Sequence, residues 1–302
     1  MNGVVSALVV LAIWAAAFFG LYWTVALARR WYHLRGRRNP LRDNLLRGPG
    51  HTVGAQREEY LIELMAYVAV VPAVAVVFYA MYLSRDRAAS LSAFTGWLYL
   101  SAGLVFFGFA VLKTVSIVKR LRDTGLGFEA ESAVGQELNW LMRDGFSVFH
   151  DVPGDKNFNI DHVVVGRQGT FAVETKGRSK PMRKNEVEYV VEHINGELVF
   201  PGWKETAPLE QARMNANWLA KWLTSAVGTP VTVKPVLAIP GWWIERKSPS
   251  DVAIVNGKNT KAYFTKTQSA ELSEQLVRQI VHQLDGRCRD VEPRVYKPAK
   301  DD

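Results

Sequence analysis

The stretch NIDHVVVGRQGTFAVETKG, residues 159–177, places Asp161 at the start of one apolar run and Glu174 and Lys176 at the end of the next. Strand side chains alternate, so Ala172, Glu174 and Lys176 share one face while Phe171, Val173 and Thr175 share the other. A turn at Gly166–Gly169 folds the first run alongside the second and carries Asp161 toward Glu174 and Lys176. Two carboxylates and an ammonium then converge at one end of a sheet. That arrangement is either a site in which the three groups act together or a cross-strand ion pair at a solvent-facing strand end.

Two further segments bear on the choice. On an earlier helical pattern Glu131 lies in register with Val134, Leu138 and Leu141, which puts a carboxylate at the head of a core-facing stripe. On a later one Gln211 and Asn215 fall in register with Trp218 and Trp222. Buried polar groups need partners. Several such exceptions aimed at one sheet favour a shared site.

These groups are positioned by an alternation of helix and strand signals. Phe128–Met142 reads as a helix. Phe146–Val152, Ile160–Gly166 and Thr170–Lys176 read as strands. Val187–His193 and Leu198–Phe200 form a hairpin around Asn195-Gly196. Leu209–Thr224 is helical, Val231–Ile239 and Val252–Val255 are strands, and Ser269–Leu284 is a closing helix. The order gives a mixed α/β domain over residues 127–289, large enough for one core, with a polar tail at 290–302.

The first third of the chain reads differently. Gly3–Ala28, Leu61–Leu83 and Leu91–Leu112 are each long and apolar enough to span a bilayer. They give a three-span α-helical membrane region at 1–118, joined to the domain by a short charged linker at 119–126. The first span lacks the positive n-region of a signal peptide. Eight Arg residues fall in the loop at 29–60, whereas the hairpin at Ser84–Ser90 holds only Arg85 and Arg87 against Asp86. The positive-inside rule then places the N-terminus outside and the Arg-rich loop and C-terminal domain in the cytoplasm, with the protein multi-pass in the plasma (inner) membrane. Nucleic acid or anionic lipid is an alternative use of the same Arg residues. Glu63 reads as interfacial, and Lys113 as a residue that snorkels to the headgroups.

Composition sets limits. The net charge is +8. Most of that excess lies before residue 119, so it reports on membrane orientation more than on nucleic-acid binding by the domain. The single Cys288 excludes an internal disulfide and a cysteine-based zinc site.

The run from Gly127 to Lys176 resembles the NERD domain, the nuclease-related domain of the PD-(D/E)XK nuclease superfamily. The residues that carry the resemblance are Glu131 with Val134 and Leu138, HDV at 150–152, NIDHVVVG at 159–166, GTFAVETKG at 169–177 and PLEQARMNANWL at 208–219. One departure is GFEAE, where the family commonly has a second Gly before the acid; Glu131 is taken as the equivalent. The resemblance implies a restriction-endonuclease-like fold and a metal-dependent nuclease acting on nucleic acid, with DNA as the expected substrate. It implies that Asp161 and Glu174, with the backbone carbonyl of Thr175 and with Glu131, hold Mg²⁺ or Mn²⁺, a hard ion suited to oxygen ligands. Lys176 would position the attacking water or stabilise transition-state charge. Gln211 would contact the backbone or the catalytic groups.

Arg178, Lys180, Arg183 and Lys184 form an acid-free run that either tracks a phosphate backbone or is a solvated turn. His150 and His162 are expected to be structural, because Mg²⁺ sites rarely use imidazole. Trp203, Trp242 and Trp243 are expected either to stack on bases or to pack. The rival reading is an inactive nuclease-fold module that binds nucleic acid or a partner protein at the membrane. A further rival has the spans themselves doing the work within a larger membrane complex. Oligomeric state is not readable. If the nuclease is active, tethering beside the bilayer points to incoming DNA as its target.

Overall fold

The computed structural model describes residues 43–84, 91–155, 158–183, 186–187, 189–258, 260–267 and 269–292, with scattered helical positions between 16 and 28. The first expected span, Gly3–Ala28, lies mostly outside the described residues, as do the hairpin after Ser84, most of the Arg-rich loop before Asp43 and the tail after Glu292.

The chain divides into two compact units, Met1–Pro40 with Arg57–Arg122, and Leu41–Gln56 with Asp123–Asp302. In the first, helices α1 (His51–Ser84) and α2 (Leu91–Asn139) supply two segments long and apolar enough to cross a membrane. The contacts Tyr60–Arg120, Glu63–Lys113 and Phe78–Phe106 progress in opposite directions along the two helices, so they run antiparallel. Met65, Leu104 and Leu112 are each more than 70 % exposed, which suits hydrocarbon rather than water as the surrounding medium. Lys113 is paired with Glu63 at 3.3 Å, so each of these charges has a partner.

Two boundaries differ from expectation. The expected linker at 119–126 is helical, part of α2. Its Lys, Arg and Leu residues are good helix formers, and its charge had disguised that. The loop expected to run to Tyr60 instead ends at a turn through Gly48–Gly50, and α1 starts at His51. Before that turn, β1 (Leu45–Leu46) pairs antiparallel with the far C-terminal strand Arg289–Val291.

The second unit is built on a five-stranded sheet. Its strands are β2 (Ser147–Pro153), β3 (Asn159–Gly166), β4 (Gly169–Thr175), β10 (Val233–Ala238) and β12 (Ala253–Val255), in the order β12-β10-β4-β3-β2. β2, β3 and β4 form an antiparallel meander, while β10 and β12 continue parallel to β4. Between β4 and β10 the chain makes the two-residue strands β5 (Met182–Arg183) and β6 (Glu186–Val187), then β7 (Val190–Ile194), β8 (Glu197–Phe200) and β9 (Trp203–Glu205). These last three join β11 (Trp243–Arg246) in a second sheet, β11-β7-β8-β9. The expected turn at Asn195-Gly196 is present, with both residues at positive φ. β9, β11 and the short helix α4 (Thr260–Lys266) are additions to the expected order.

Alternation along the strands divides the core. Val163, Val165 and Ala172 face α3 (Ala207–Val227) and α5 (Glu274–Cys288) through Ala216, Leu219, Ile280 and Leu284. Val164, Phe171 and Val173 face the C-terminal part of α2 through Val134 and Leu138, and the 3-10 turn Trp140–Asp144 that follows it through Leu141. α5 starts later than the sequence suggested, at a Ser273 cap whose side chain accepts from Leu276 N–H.

Candidate functional site

β3 and β4 pair with His162 opposite Val173, so Asp161 falls opposite Glu174 on the face covered by α3. Both carboxylates are buried, Glu174 almost completely. The Thr175 N–H donates to Asp161 Oδ2 at 2.6 Å, tying the start of β3 to the end of β4. Lys176 Nζ lies 2.7 Å from Glu174 Oε1 and is partly exposed. Asn215 Nδ2, arriving from α3, donates to Glu174 Oε2 at 2.7 Å. The expected convergence of Asp161, Glu174 and Lys176 is therefore present, and Glu174 is too deeply buried for a solvent-facing ion pair.

Glu131 reaches this end of the sheet from α2. The approach depends on Gly177. A Cβ there would lie 2.8 Å from the Leu126 carbonyl oxygen and 3.0 Å from Ala130 Cβ, so only glycine lets the chain leaving β4 press against that turn of α2. Glu131 is buried, and its Oε2 has no hydrogen-bond partner among the described residues.

All three acids have raised proton affinity; Glu174 adds to the effect at Glu131 and Asp161, and Glu131 adds to it at Asp161. Burial pushes Glu131 up to about 7, reinforced by the charges of Asp151 and Glu174 and opposed by Lys176. Burial holds Asp161 well above the usual carboxylate range, with Glu174 and Glu131 adding to the effect and the Thr175 N–H and Lys176 opposing it. Glu174 is raised by burial, against the Lys176 ion pair and the Asn215 hydrogen bond. Such a cluster, poor in compensating charge, favours either protons or a cation. Among the described residues no three His, Cys, Asp or Glu side chains are grouped closely enough to hold a metal by themselves. An oxygen-ligated ion such as Mg²⁺ does not require three, because it keeps several waters. The donors here are oxygens, and Glu131 Oε2 is an orphaned acceptor, so the residues fit such an ion.

Gln211, one turn before Asn215, is half-buried and makes no hydrogen bond to either carboxylate among the described residues. The two share a helical register, and the sequence alone did not distinguish which one reaches the sheet. Arg178 is engaged by Glu205 in a two-point ion pair at 2.8 Å for each contact, so it is already neutralised. Lys180 is exposed. Arg183 lies on β5, and Lys184 is outside the described residues. Trp242 is fully buried and donates from Nε1 to the Arg178 carbonyl; Trp203 stacks on Phe200 at 4.6 Å; Trp243 is exposed.

The histidines are structural in geometry. His150 and His162 are buried with Nδ1 to Nδ1 at 2.9 Å, and His150 Nε2 lies 3.0 Å from Asn139 Oδ1. An amide oxygen accepts, so His150 donates from Nε2 and accepts at Nδ1 from His162. Burial lowers His150 to about 4 against the pull of Asp151, and it lowers His162 well below its usual value with help from His150.

Sequence reasoning missed Asp151. Its carboxylate is fully buried at positive φ, and it takes hydrogen bonds from Thr52, Asn159 and Arg47, the last at 2.8 Å. Arg47 also pairs with Asp290. The HDV motif marked this acid, but two of its partners, Arg47 and Thr52, stand 104 and 99 residues away in sequence.

This geometry, with paired carboxylates and a lysine at the junction of an antiparallel meander and a parallel strand, can be set beside known families. Residues 126–240 match the family model of NERD, the nuclease-related domain. The match covers Glu131, Asp161, Glu174, Lys176 and Asn215 and implies a nuclease fold with mixed sheets. β12, α4 and α5 lie beyond the matched NERD segment, as does the N-terminal strand β1. No curated protein and no solved structure matches the chain.

Proposed function

We propose that the chain is a membrane-anchored, metal-dependent nuclease that hydrolyses phosphodiester bonds of DNA at the cytoplasmic face. The observation that carries this reading is the pairing of Asp161 with Glu174 across β3 and β4, with Lys176 held 2.7 Å from Glu174, inside the NERD segment.

In this reading Asp161, Glu174, the Thr175 carbonyl and Glu131 would hold Mg²⁺ or Mn²⁺. Such an ion would supply Lewis acidity toward the phosphate and the attacking water. Asn215 fixes the orientation of Glu174. Lys176 turns from its ion pair toward the phosphate and stabilises negative charge as it develops there. Gln211 serves as a neighbouring contact to the backbone. The two apolar helices act as an anchor: from Leu61 to Leu83 and from Leu91 to Lys113 the charged residues are Glu63 and Lys113, which pair with one another. Anchoring raises the encounter rate with DNA crossing the envelope and spares most of the chromosome, an effective-concentration effect.

The test is incubation of the full chain, in detergent, with DNA and RNA in the presence of Mg²⁺, Mn²⁺ or EDTA. Cation-dependent cutting of DNA that EDTA abolishes is expected. Binding of DNA with no cutting in any arm would replace this reading with that of a capture module.

A further inference from the structure

The carboxyl ends of the parallel strands β4, β10 and β12 lead into turns at Gly177, Gly241 and Gly257. With the face of α2 around Ala130, these turns line a groove of about 390 Å³. Grooves outside the carboxyl ends of parallel strands are preferred ligand sites. Two of its lining residues, Gly177 and Ala130, are the chain neighbours of Lys176 and Glu131.

Its two walls differ in charge. The α2 side presents the exposed carboxylates Glu129 and Glu137. The loop side presents Arg178 and Lys258. Arg178 is committed to Glu205, whereas the exposed Lys258 ammonium has no ion-pair partner among the described residues. The turn that carries it is fixed, with Gly257 at φ +87° and the Lys258 N–H donating to Asn256 Oδ1 at 2.9 Å. A cation therefore faces two acceptor carboxylates across a space at the small-ligand end of pocket sizes, roughly 300–1,000 Å³.

A nucleotide has the matching polarity: negative phosphate at one end and base amino groups that donate to carboxylates at the other. In a duplex those amino groups are engaged by the opposite strand, and a base pair with both its sugars exceeds this volume. We propose that the groove takes one unpaired nucleotide of the strand being cut, with its phosphate at Lys258 and its base edge at Glu129 and Glu137. The preferred substrate is then single-stranded or frayed nucleic acid. This assignment rests on the nuclease reading for its purpose, but its binding can be measured without it. It also gives a role to Lys258, which lies outside the NERD match.

The experiment measures fluorescence anisotropy of a labelled single-stranded oligonucleotide and of its blunt duplex on the full chain, in EDTA so that nothing is cut. The wild type should bind the single strand at least about 10-fold tighter than the duplex. Lys258→Ala should weaken single-strand binding about 3- to 10-fold and reduce the salt slope by about 0.7, with Lys258→Arg restoring both. Glu129→Ala with Glu137→Ala should also weaken it, whereas carboxylates that merely repel phosphate would give tighter binding on removal. Equal affinity for single strand and duplex, no effect of Lys258→Ala, or tighter binding by the Glu129→Ala/Glu137→Ala variant would each overturn the assignment. Hydrolysis of bis(p-nitrophenyl) phosphate by the wild type with Mn²⁺ is followed in parallel. If no diester is cleaved while the strand preference and variant effects hold, the nuclease reading fails and the groove assignment stands. If diesters are cleaved and no preference exists, the groove assignment alone fails.

Discussion

Asn215 Nδ2 donates to Glu174 Oε2 at 2.7 Å while Lys176 Nζ lies 2.7 Å from the other oxygen, so both oxygens of one buried carboxylate are held. Partners that orient a metal-binding side chain typically contribute about 10–100-fold in affinity or activity. Asn215→Ala is therefore expected to lower cleavage by about that factor and to weaken Mg²⁺ or Mn²⁺ binding by calorimetry. Asn215→Asp sets a further acid beside Glu174 and is expected to be less stable than Asn215→Ala without metal and to regain part of its cleavage at high Mn²⁺.

Arg47 lies before the apolar helix α1, yet it pairs with the buried Asp151 of β2 and with Asp290 beside α5. Removing one partner of a buried charge pair costs about 3–5 kcal/mol, because the other is left uncompensated. Arg47→Ala is expected to lower the denaturant midpoint of the unit that holds Asp151, followed by tryptophan fluorescence, and Asp151→Asn in the same chain to recover part of the loss. Equal midpoints for Arg47→Ala and wild type would refute this role. The same reasoning makes a fragment beginning at Gly127 less stable than the intact chain.

Local patterns made the sheet legible. Alternation in residues 159–177, the Asn195-Gly196 turn and the apolar stripe of Val134 and Leu138 each agree with the element found. The convergence of Asp161 and Glu174 followed from one turn and one register. The choice between Gln211 and Asn215 did not, because residues four apart share a helical face. Arg47, Thr52 and Asp290 were invisible as partners of Asp151 and Arg47 because nothing local links segments so far apart. The 119–126 segment was misread for a different reason: a charged run of helix formers resembles a linker until the apolar residues on either side are known to lie on one helix.

Glu131 gives a pH signature. Its pKa is raised to about 7 from an ordinary 4.5, with burial the main cause and the charges of Asp151 and Glu174 secondary. The folded state thus favours its protonated form. The resulting stabilisation is full below about pH 4.5 and is lost as pH rises through about 7. In metal-free conditions Glu131→Gln is expected to be more stable than wild type above pH 7, with the gain shrinking toward zero near pH 4.5. Thermal melts in EDTA across that range check it. An advantage that grew on acidification would have the wrong sign.

The proposed membrane orientation rests on the Arg asymmetry alone. A reporter fused after Asp302 is expected to be active in the cytoplasm, and a cysteine placed in the segment after Ser84 to be labelled by an impermeant thiol reagent in intact cells. Export of the C-terminal reporter would remove the cytoplasmic nucleic-acid substrate as well.

The most direct test of the central claim is the single-turnover cleavage rate of Glu174→Ala against wild type in Mg²⁺, with circular dichroism to confirm that both are folded. A carboxylate that holds the ion and orients Lys176 should be worth more than about 1,000-fold in rate. The account predicts a folded Glu174→Ala protein with cleavage reduced at least that far and metal binding weakened. A folded Glu174→Ala protein that cuts at the wild-type rate would contradict it.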